Sequence, residues 1–413
     1  MDLQSRLLMA AIRKYFHFSM ELEPGSFNYP KVIPSQPIPL YIHIPFCESL
    51  CPFCSFHRIK IDRQLATAYF DALSVEVDRL HQLGFAFNEV YVGGGTPTTM
   101  PAELVALLCK LQRFWSLNDI TVETNPNHLT TEILAPLKQA GVTRLSVGVQ
   151  SLQDKTLQHI GRYDAYGSGD SIIARLSEVR GQFKTFNVDM IFNLPGQTES
   201  DMTSDVALLK KLAVDQISYY PLMPALPNKR KPDPDFTDVS FGKEKYLYQL
   251  ITAQLSPDYK KSSVWCFNKK PQLSDEYLIS SKQYLGIGSG SISLIGNRFL
   301  ATTFDIQQYI RQTNAGAFPW QAVQNLSAWQ LRHYTLMTRL FGLNIPADTD
   351  NLPGLSLRLM RGLGAVHRRG DAYHLTQKGQ YWWLILMREF FMGVNGYRRQ
   401  LRYLNAEPEL EID

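Results

Sequence analysis

The chain has 413 residues, 45% of them hydrophobic, with 42 Lys and Arg against 38 Asp and Glu for a formal net charge of +4. That is ample for a large core and for two or three structural units, or for one α/β barrel with additions. The basic residues are scattered along the chain, which excludes the charge footprint of a nucleic-acid binder and leaves an acidic small-molecule ligand open.

Three of the five cysteines crowd between positions 47 and 54, so a disulfide framework is excluded and a reducing, cytoplasmic setting is expected. The apolar run at the start is interrupted by Arg13 and Lys14, and Trp382–Met387 is cut short by Arg388 and Glu389. Neither reads as a secretory leader or as a span, which takes about 20 residues.

In chain order, residues 1–20 predict an amphipathic helix, followed by a connector with Pro24, Pro30, Pro34, Pro37 and Pro39. An alternation of strands and helices then begins. Strands are predicted at Leu40–Phe46, Glu89–Val92, Ile120–Glu123, Arg144–Val149, Phe186–Phe192 and Gln216–Tyr220. Helices are predicted at Arg63–Leu83, Ala102–Phe114, Thr131–Ala140, near Asp154, at Asp170–Val179 and at Glu199–Leu212. Six βα units imply a parallel sheet and fall short of the eight of a closed barrel, so the expected fold class is α/β, an open six-stranded partial barrel. A polar, Pro-studded stretch at Pro227–Phe236 follows, then a helix at Phe241–Leu255. Glycine-rich Tyr284–Ser293 and Asn297–Phe304 predict added strands. From Ser327 the chain reads as mainly helical, with a hairpin at Ala365–Leu375 and a last helix, an order resembling a winged-helix domain. The expected division is 1–37, 38–225, 226–304 and 305–413.

The chemistry concentrates in Tyr41-Ile-His-Ile-Pro-Phe-Cys47-Glu-Ser-Leu-Cys51-Pro-Phe-Cys54. Three thiols on one loop suit a soft metal, iron or zinc, and three ligands where four are usual leave one position for a substrate. Active sites of parallel α/β sheets gather where the strands end, and this loop follows the first strand. Gly93-Gly94-Gly95-Thr96 follows the second, Glu123 closes the third, Gln150 the fourth, and Asp189 lies in the fifth. A triple glycine lets backbone approach a ligand closely. A carboxylate inside an apolar strand is rarely left without a partner. Cys266, flanked by Trp265 and Phe267, is a candidate second catalytic thiol, with inert packing as its plainer reading. Cys109 reads as helix packing, His43 as a hydrogen-bonder beneath the loop and His159 as a helix-surface residue. Tyr373, Tyr381, Trp382, Trp383, Phe390 and Phe391 could form a platform for a flat ligand.

The C-x3-C-x2-C spacing with Phe53 before the last cysteine, together with GGGTPT, resembles the radical S-adenosylmethionine (SAM) superfamily. The segments Tyr41–Cys47, Gly148-Val-Gln-Ser, Gly161-Arg162, Val188–Thr198 and Gly286-Ile-Gly-Ser-Gly are similar to its oxygen-independent coproporphyrinogen III oxidase branch, over about residues 38–304. Leu375–Gly379 and the helix after it resemble that branch's C-terminal domain.

The resemblance implies that Cys47, Cys51 and Cys54 hold a [4Fe-4S] cluster whose fourth iron takes SAM, which is split reductively into methionine and a 5′-deoxyadenosyl radical. It implies Tyr41, Gly94, Glu123 and Ile292 as contacts of that SAM. Phe53, Gly95, Thr96, Gln150, Arg162 and Asp189 match contacts of a second SAM. An electron donor of the flavodoxin or ferredoxin type and a tetrapyrrole or other conjugated substrate are the implied partners. One position departs: the decarboxylase has a further cysteine two residues beyond the last ligand, where this chain has Phe56. That counts against decarboxylation of coproporphyrinogen III, and the relatives left are the haem chaperones and the methyltransferases or haem-degrading enzymes. Ser263–Phe267 and Met387–Asn395 turn the expectation toward the last group.

Overall fold

The computed structural model describes residues 34–223, 241–270, 281–346 and 354–404. The expected N-terminal helix and the Pro-studded stretch at 227–236 lie outside these residues.

Six strands form the centre in chain order: β1 (Ile38–Ile44), β2 (Phe87–Gly94), β3 (Asp119–Thr124), β4 (Arg144–Gln150), β5 (Thr185–Phe192) and β6 (Gln216–Pro221). Each runs parallel to its neighbour. Parallel strands are covered on both faces and therefore read as continuous apolar runs. In β1 that run is Ile-Pro-Leu-Tyr-Ile-His-Ile, buried everywhere except the half-buried Tyr41.

The crossovers are helices because their apolar residues recur at helical spacing, as with the buried Leu104, Leu107, Leu108 and Leu111 of Pro101–Phe114. Their starts are chemically marked. Asp62 accepts from the Leu65 amide at 3.0 Å to begin Arg63–Gln82, and Thr198 with Asp201 forms a capping box at the head of Glu199–Leu212.

The sheet stays open. Beyond β6 it continues with Cys266–Asn268 and Lys260–Lys261, both antiparallel. Leu285–Ile287 borders β1 in parallel at the other edge, pairing Tyr41 with Gly286. The glycine-rich segment thus returns to the first strand, a placement its composition does not specify. Glycine is obligatory at Gly288, whose φ is +89° and where a Cβ would stand 2.5 Å from the Tyr69 hydroxyl and 2.6 Å from the His43 carbonyl. A separate antiparallel sheet of Ile292–Ile295, Arg298–Thr302 and Trp320–Asn325 follows. The C-terminal part comprises helices Ala328–Phe341, Gly354–Gly362 and Gln377–Leu404 with a small sheet of Asn344–Pro346, Ala372–Leu375 and Val366–Arg369. Among the described residues no helix is long and apolar enough to cross a membrane.

Buried charges lock these parts together. Glu244 of helix Phe241–Leu255 and Arg388 of Gln377–Leu404 form an ion pair with 0% and 1% side-chain exposure. Removing one member of such a pair leaves the other charge stranded, which costs more than the pair itself contributes. Arg388→Met should therefore destabilise the fold by roughly 3–5 kcal/mol in urea unfolding. Combining it with Glu244→Leu should restore much of the loss.

Two buried carboxyls brace the loops. Glu76 accepts from the Tyr309 hydroxyl and from the Gly288 amide at 3.3 Å, and burial lifts its pKa to about 7. Asp205 accepts from the Ser151 hydroxyl at 3.0 Å, the Leu152 amide at 3.1 Å and the Gln153 side chain at 2.7 Å, with burial lifting it to about 6. The folded state thus binds these protons more tightly than the unfolded chain, whose carboxyls titrate at about 4. Stability should be full at low pH and fall as pH rises through 6 to 7. Unfolding free energies at pH 5.5 and 8 should differ in that direction, and Glu76→Gln should flatten the difference.

Candidate active site

After β1, Phe46–Cys47 pairs in parallel with Ile59–Lys60 and closes the cysteine loop at its base. Within it the Cys54 amide donates to the Cys51 carbonyl at 3.2 Å. One guanidinium nitrogen of Arg58 donates to both the Cys51 and the Cys54 carbonyls, the latter at 3.2 Å. Glu48 ties the loop to its neighbour through the Asn127 amide at 2.8 Å and His128 Nε2 at 3.2 Å.

Cys47 and Cys51 are buried and Cys54 is half-buried. Burial pushes the Cys47 thiol up to about 11, against a lowering hydrogen bond from Thr96 whose hydroxyl lies 3.6 Å from the sulfur. A buried thiol of this kind ionises only with a positive partner such as a metal. Arg162 supplies one donor, Nη1 at 3.3 Å from the Cys51 sulfur. Among the described residues no three His, Cys, Asp or Glu side chains form a set that would hold a single metal ion. The three thiols line one cavity.

The triple glycine is demanded by packing on three sides. A Cβ on Gly93 would lie 2.8 Å from the Glu123 carboxylate, on Gly94 2.6 Å from the His43 ring, and on Gly95 2.6 Å from the Phe46 carbonyl. Gly94 also has φ of +114°. His43 lies beneath the loop as expected. Its Nε2 stands 2.9 Å from the His57 carbonyl and must donate to it, so in the neutral ring Nδ1 accepts from the Tyr41 hydroxyl at 2.9 Å.

Glu123 accepts from the Tyr91 hydroxyl at 2.7 Å and the Gly94 amide at 3.1 Å, and burial raises it to about 7. Asp189 accepts from Ser146 and Asn187, both at 2.8 Å, and burial likewise raises its pKa. Gln150 sits at a register shift between β4 and β5 with φ of +75°, a conformation rare outside glycine that turns the strand end. Arg162 is buried, lies over the Tyr166 ring at 4.1 Å, and donates to Asn125 Oδ1 at 3.0 Å and the Gly148 carbonyl at 2.5 Å. Asn125 in turn donates to the Thr96 hydroxyl at 2.7 Å. One hydrogen-bonded chain therefore runs from the Cys47 sulfur through Thr96, Asn125 and Arg162 to the Cys51 sulfur.

The thiols and the strand-end groups open onto one cavity of about 320 Å³. Its wall includes the three cysteines and each of Tyr41, Phe53, Gly94, Gly95, Thr96, Glu123, Gln150, Arg162, Asp189 and Ile292. Arg58, Tyr91, Asn125 and Tyr166, which are not among the residues expected from sequence, also line it. Two of these carried a signal: Arg58 is a cation four residues past the last cysteine, and Asn125 stands two residues past Glu123 at a strand end.

The rest of the wall is aromatic and apolar: Phe56, which is 50% exposed, with Tyr220, Met223, Trp265, Tyr284, Phe299, Phe390 and Phe391. Trp265 lies 5.3 Å from Tyr220 and 5.9 Å from Phe391, ring centre to ring centre. Of the six aromatics read as a platform only Phe390 and Phe391 line the cavity. Tyr381, Trp382 and Trp383 are core residues, Trp383 donating to the Met337 carbonyl at 2.9 Å. Cys266 is fully buried, 3.7 Å from Asn268 Oδ1, and lies off the cavity wall although its neighbour Trp265 is on it. Cys109 is exposed, not packed as its apolar surroundings suggested, because it falls on the outer face of its helix. His159 is exposed, as read.

Comparison with known proteins bears on this site directly. The Radical SAM superfamily profile matches residues 41–209, and proteins of that superfamily work with a [4Fe-4S] cluster and SAM. The heme chaperone HemW of Bacillus subtilis is 27% identical over 82% of this chain and 95% of its own length. The oxygen-independent coproporphyrinogen III oxidase of Salmonella typhimurium is 26% identical over 74% of this chain and 72% of its own. The solved coproporphyrinogen III oxidase of Escherichia coli superposes with a TM-score of 0.74 at 23% identity, covering 94% of this chain and 98% of that one, which establishes a common fold. Residues 41–209 thus carry a radical SAM domain, and the chain as a whole is similar to the heme chaperone HemW and to oxygen-independent coproporphyrinogen III oxidase.

Proposed function

We propose that this protein binds SAM at a [4Fe-4S] cluster held by Cys47, Cys51 and Cys54 and receives a flat tetrapyrrole, haem by preference, against the aromatic wall of the same cavity. The observation that carries the reading is the cavity itself, whose wall joins thiols and strand-end carboxylates to the aromatic rings of Trp265, Phe390 and Phe391. When bound and reduced, the cluster supplies the electron that splits the SAM sulfonium and yields a 5′-deoxyadenosyl radical.

The protein's own groups bind and orient. Glu123, pinned by Tyr91 and the Gly94 amide, offers a carboxylate to hydroxyl or ammonium groups of a SAM, beside Tyr41 and Ile292. Phe53, Gly95, Thr96, Gln150, Arg162 and Asp189 form the neighbouring part of the wall, and a second SAM, as methyl donor or spectator, is assigned there. The apolar wall excludes water from the radical and stacks on a conjugated ring. A donor of the flavodoxin or ferredoxin type would deliver the electron.

Turnover of the tetrapyrrole, by methylation or another remodelling, is the enzymatic form of this proposal. A second reading, a haem-binding chaperone that keeps the cluster without converting the ligand, is favoured by the HemW relative that aligns over 95% of its length. Decarboxylation of coproporphyrinogen III is a third reading, supported by the similarity to oxygen-independent coproporphyrinogen III oxidase, while Phe56, which brings a phenyl ring and no thiol to the cavity wall, counts against it.

Alanine at Cys47, Cys51 or Cys54 should abolish the iron–sulfur absorbance of anaerobically reconstituted protein, whereas Cys266→Ala should leave it unchanged. Absorbance lost on the latter change would show that the ligand set is incomplete. Incubation of reduced holoprotein with haem, coproporphyrinogen III and labelled SAM, followed by mass spectrometry, separates the readings. Converted haem over many turnovers supports the enzyme, stoichiometric haem binding without conversion supports the chaperone, and decarboxylated porphyrinogen supports the oxidase. Reconstituted protein with neither a cluster spectrum nor SAM cleavage would overturn the proposal.

A further inference from the structure

Arg58 is the one cation inside the cysteine loop, on the wall of the cavity and half-buried. Its placement is unlike that of a residue waiting for a ligand carboxylate. One nitrogen caps the carbonyls at both ends of the Cys51–Cys54 turn, and its buried Nε has no protein partner. A guanidinium keeps its charge at any pH the fold survives, so the charge here is permanent. The segment that carries it is fixed by the pairing of Phe46–Cys47 with Ile59–Lys60 and by His43 Nε2 donating to the carbonyl of the adjacent His57. The guanidinium is therefore held by backbone on both sides and cannot follow the bulk solvent.

We propose that Arg58 is a positioning residue for the cluster, which sets the fold of the three-thiol loop through two carbonyls and raises the cluster's reduction potential through its fixed charge. This rests on the cluster reading above. One-electron reduction of a cluster held by the three cysteines would add one negative charge to its iron–sulfur core. A cation fixed on the carbonyls of two ligand residues would stabilise that state over the oxidised one, because net charge and hydrogen bonding around the sulfurs govern the potential of such clusters. A second guanidinium, that of Arg162, contacts one sulfur directly, Nη1 lying 3.3 Å from Cys51.

The test is an EPR-monitored redox titration of reconstituted holoprotein, without SAM, for the parent, Arg58→Lys and Arg58→Gln, with iron content measured for each. Arg58→Gln should retain iron but shift the reduction equilibrium about tenfold toward the oxidised cluster, a fall of about 59 mV for one electron. Arg58→Lys keeps the charge and should restore most of that shift. Equal potentials in parent and Arg58→Gln would overturn the electrostatic role. If Arg58→Gln holds too little iron to titrate, the proposal stands only where Arg58→Lys recovers both iron and the parental potential, and a Lys variant equally depleted of iron overturns it as purely structural. A parent protein without an iron–sulfur signal would instead overturn the cluster reading.

Discussion

Two backbone hydrogen bonds hold the site together: the Gly95 amide donates to the Ile44 carbonyl at 2.7 Å and the Thr96 amide to the Phe46 carbonyl at 2.8 Å. They fasten the end of β2 to the chain just before Cys47. Because they bring main chain against main chain, no Cβ fits at Gly95, while Gly93 and Gly94 make room for the Glu123 carboxylate and the His43 ring. The same contact brings the Thr96 hydroxyl to the Cys47 sulfur and the Gly94 amide to Glu123. Cysteine loop, glycine turn and acidic strand end are thus one assembly, with the parallel sheet setting the spacing between its parts.

That assembly is costly in a dry interior, and the surroundings show how the cost is offset. Glu123 and Asp189 each accept hydrogen bonds from fixed donors, which keeps two carboxyls tolerable where burial favours their neutral forms. Arg162 spends its donors on Cys51, Asn125 and Gly148 and rests its face on Tyr166. A partly satisfied polar network is worth less than an apolar core unless it serves chemistry. Here it surrounds the thiols, which is where a radical SAM protein needs oriented dipoles and water kept out.

Much of this was legible from residue order. Strand-end logic named the residues of the polar wall, because in a parallel sheet each strand must deliver its last residues to the same lip. The helix Glu199–Leu212 was read to its true ends, since a Thr-x-x-Asp box and a run of apolar spacing mark both. Less legible was the aromatic part of the wall. Trp382 and Trp383 look as suited to a flat ligand as Phe390 and Phe391 do, yet only the latter pair reaches the cavity. Which turn of a helix faces a ligand depends on how that helix docks, and here docking is decided in part by the buried Glu244–Arg388 pair, distant in sequence.

The sequence by itself determined the chemistry: three thiols in eight residues, a glycine turn and carboxylates at successive strand ends are local patterns whose spacing is set by covalent geometry and strand period. Only the tertiary structure decided how these groups are wired and what they face. The path from Cys47 through Thr96, Asn125 and Arg162 to Cys51 joins residues up to 111 positions apart, and the return of Leu285–Ile287 to β1 brings Ile292 to the same lip. Such contacts come from chain crossings between elements far apart in sequence, and no local pattern encodes which elements will meet.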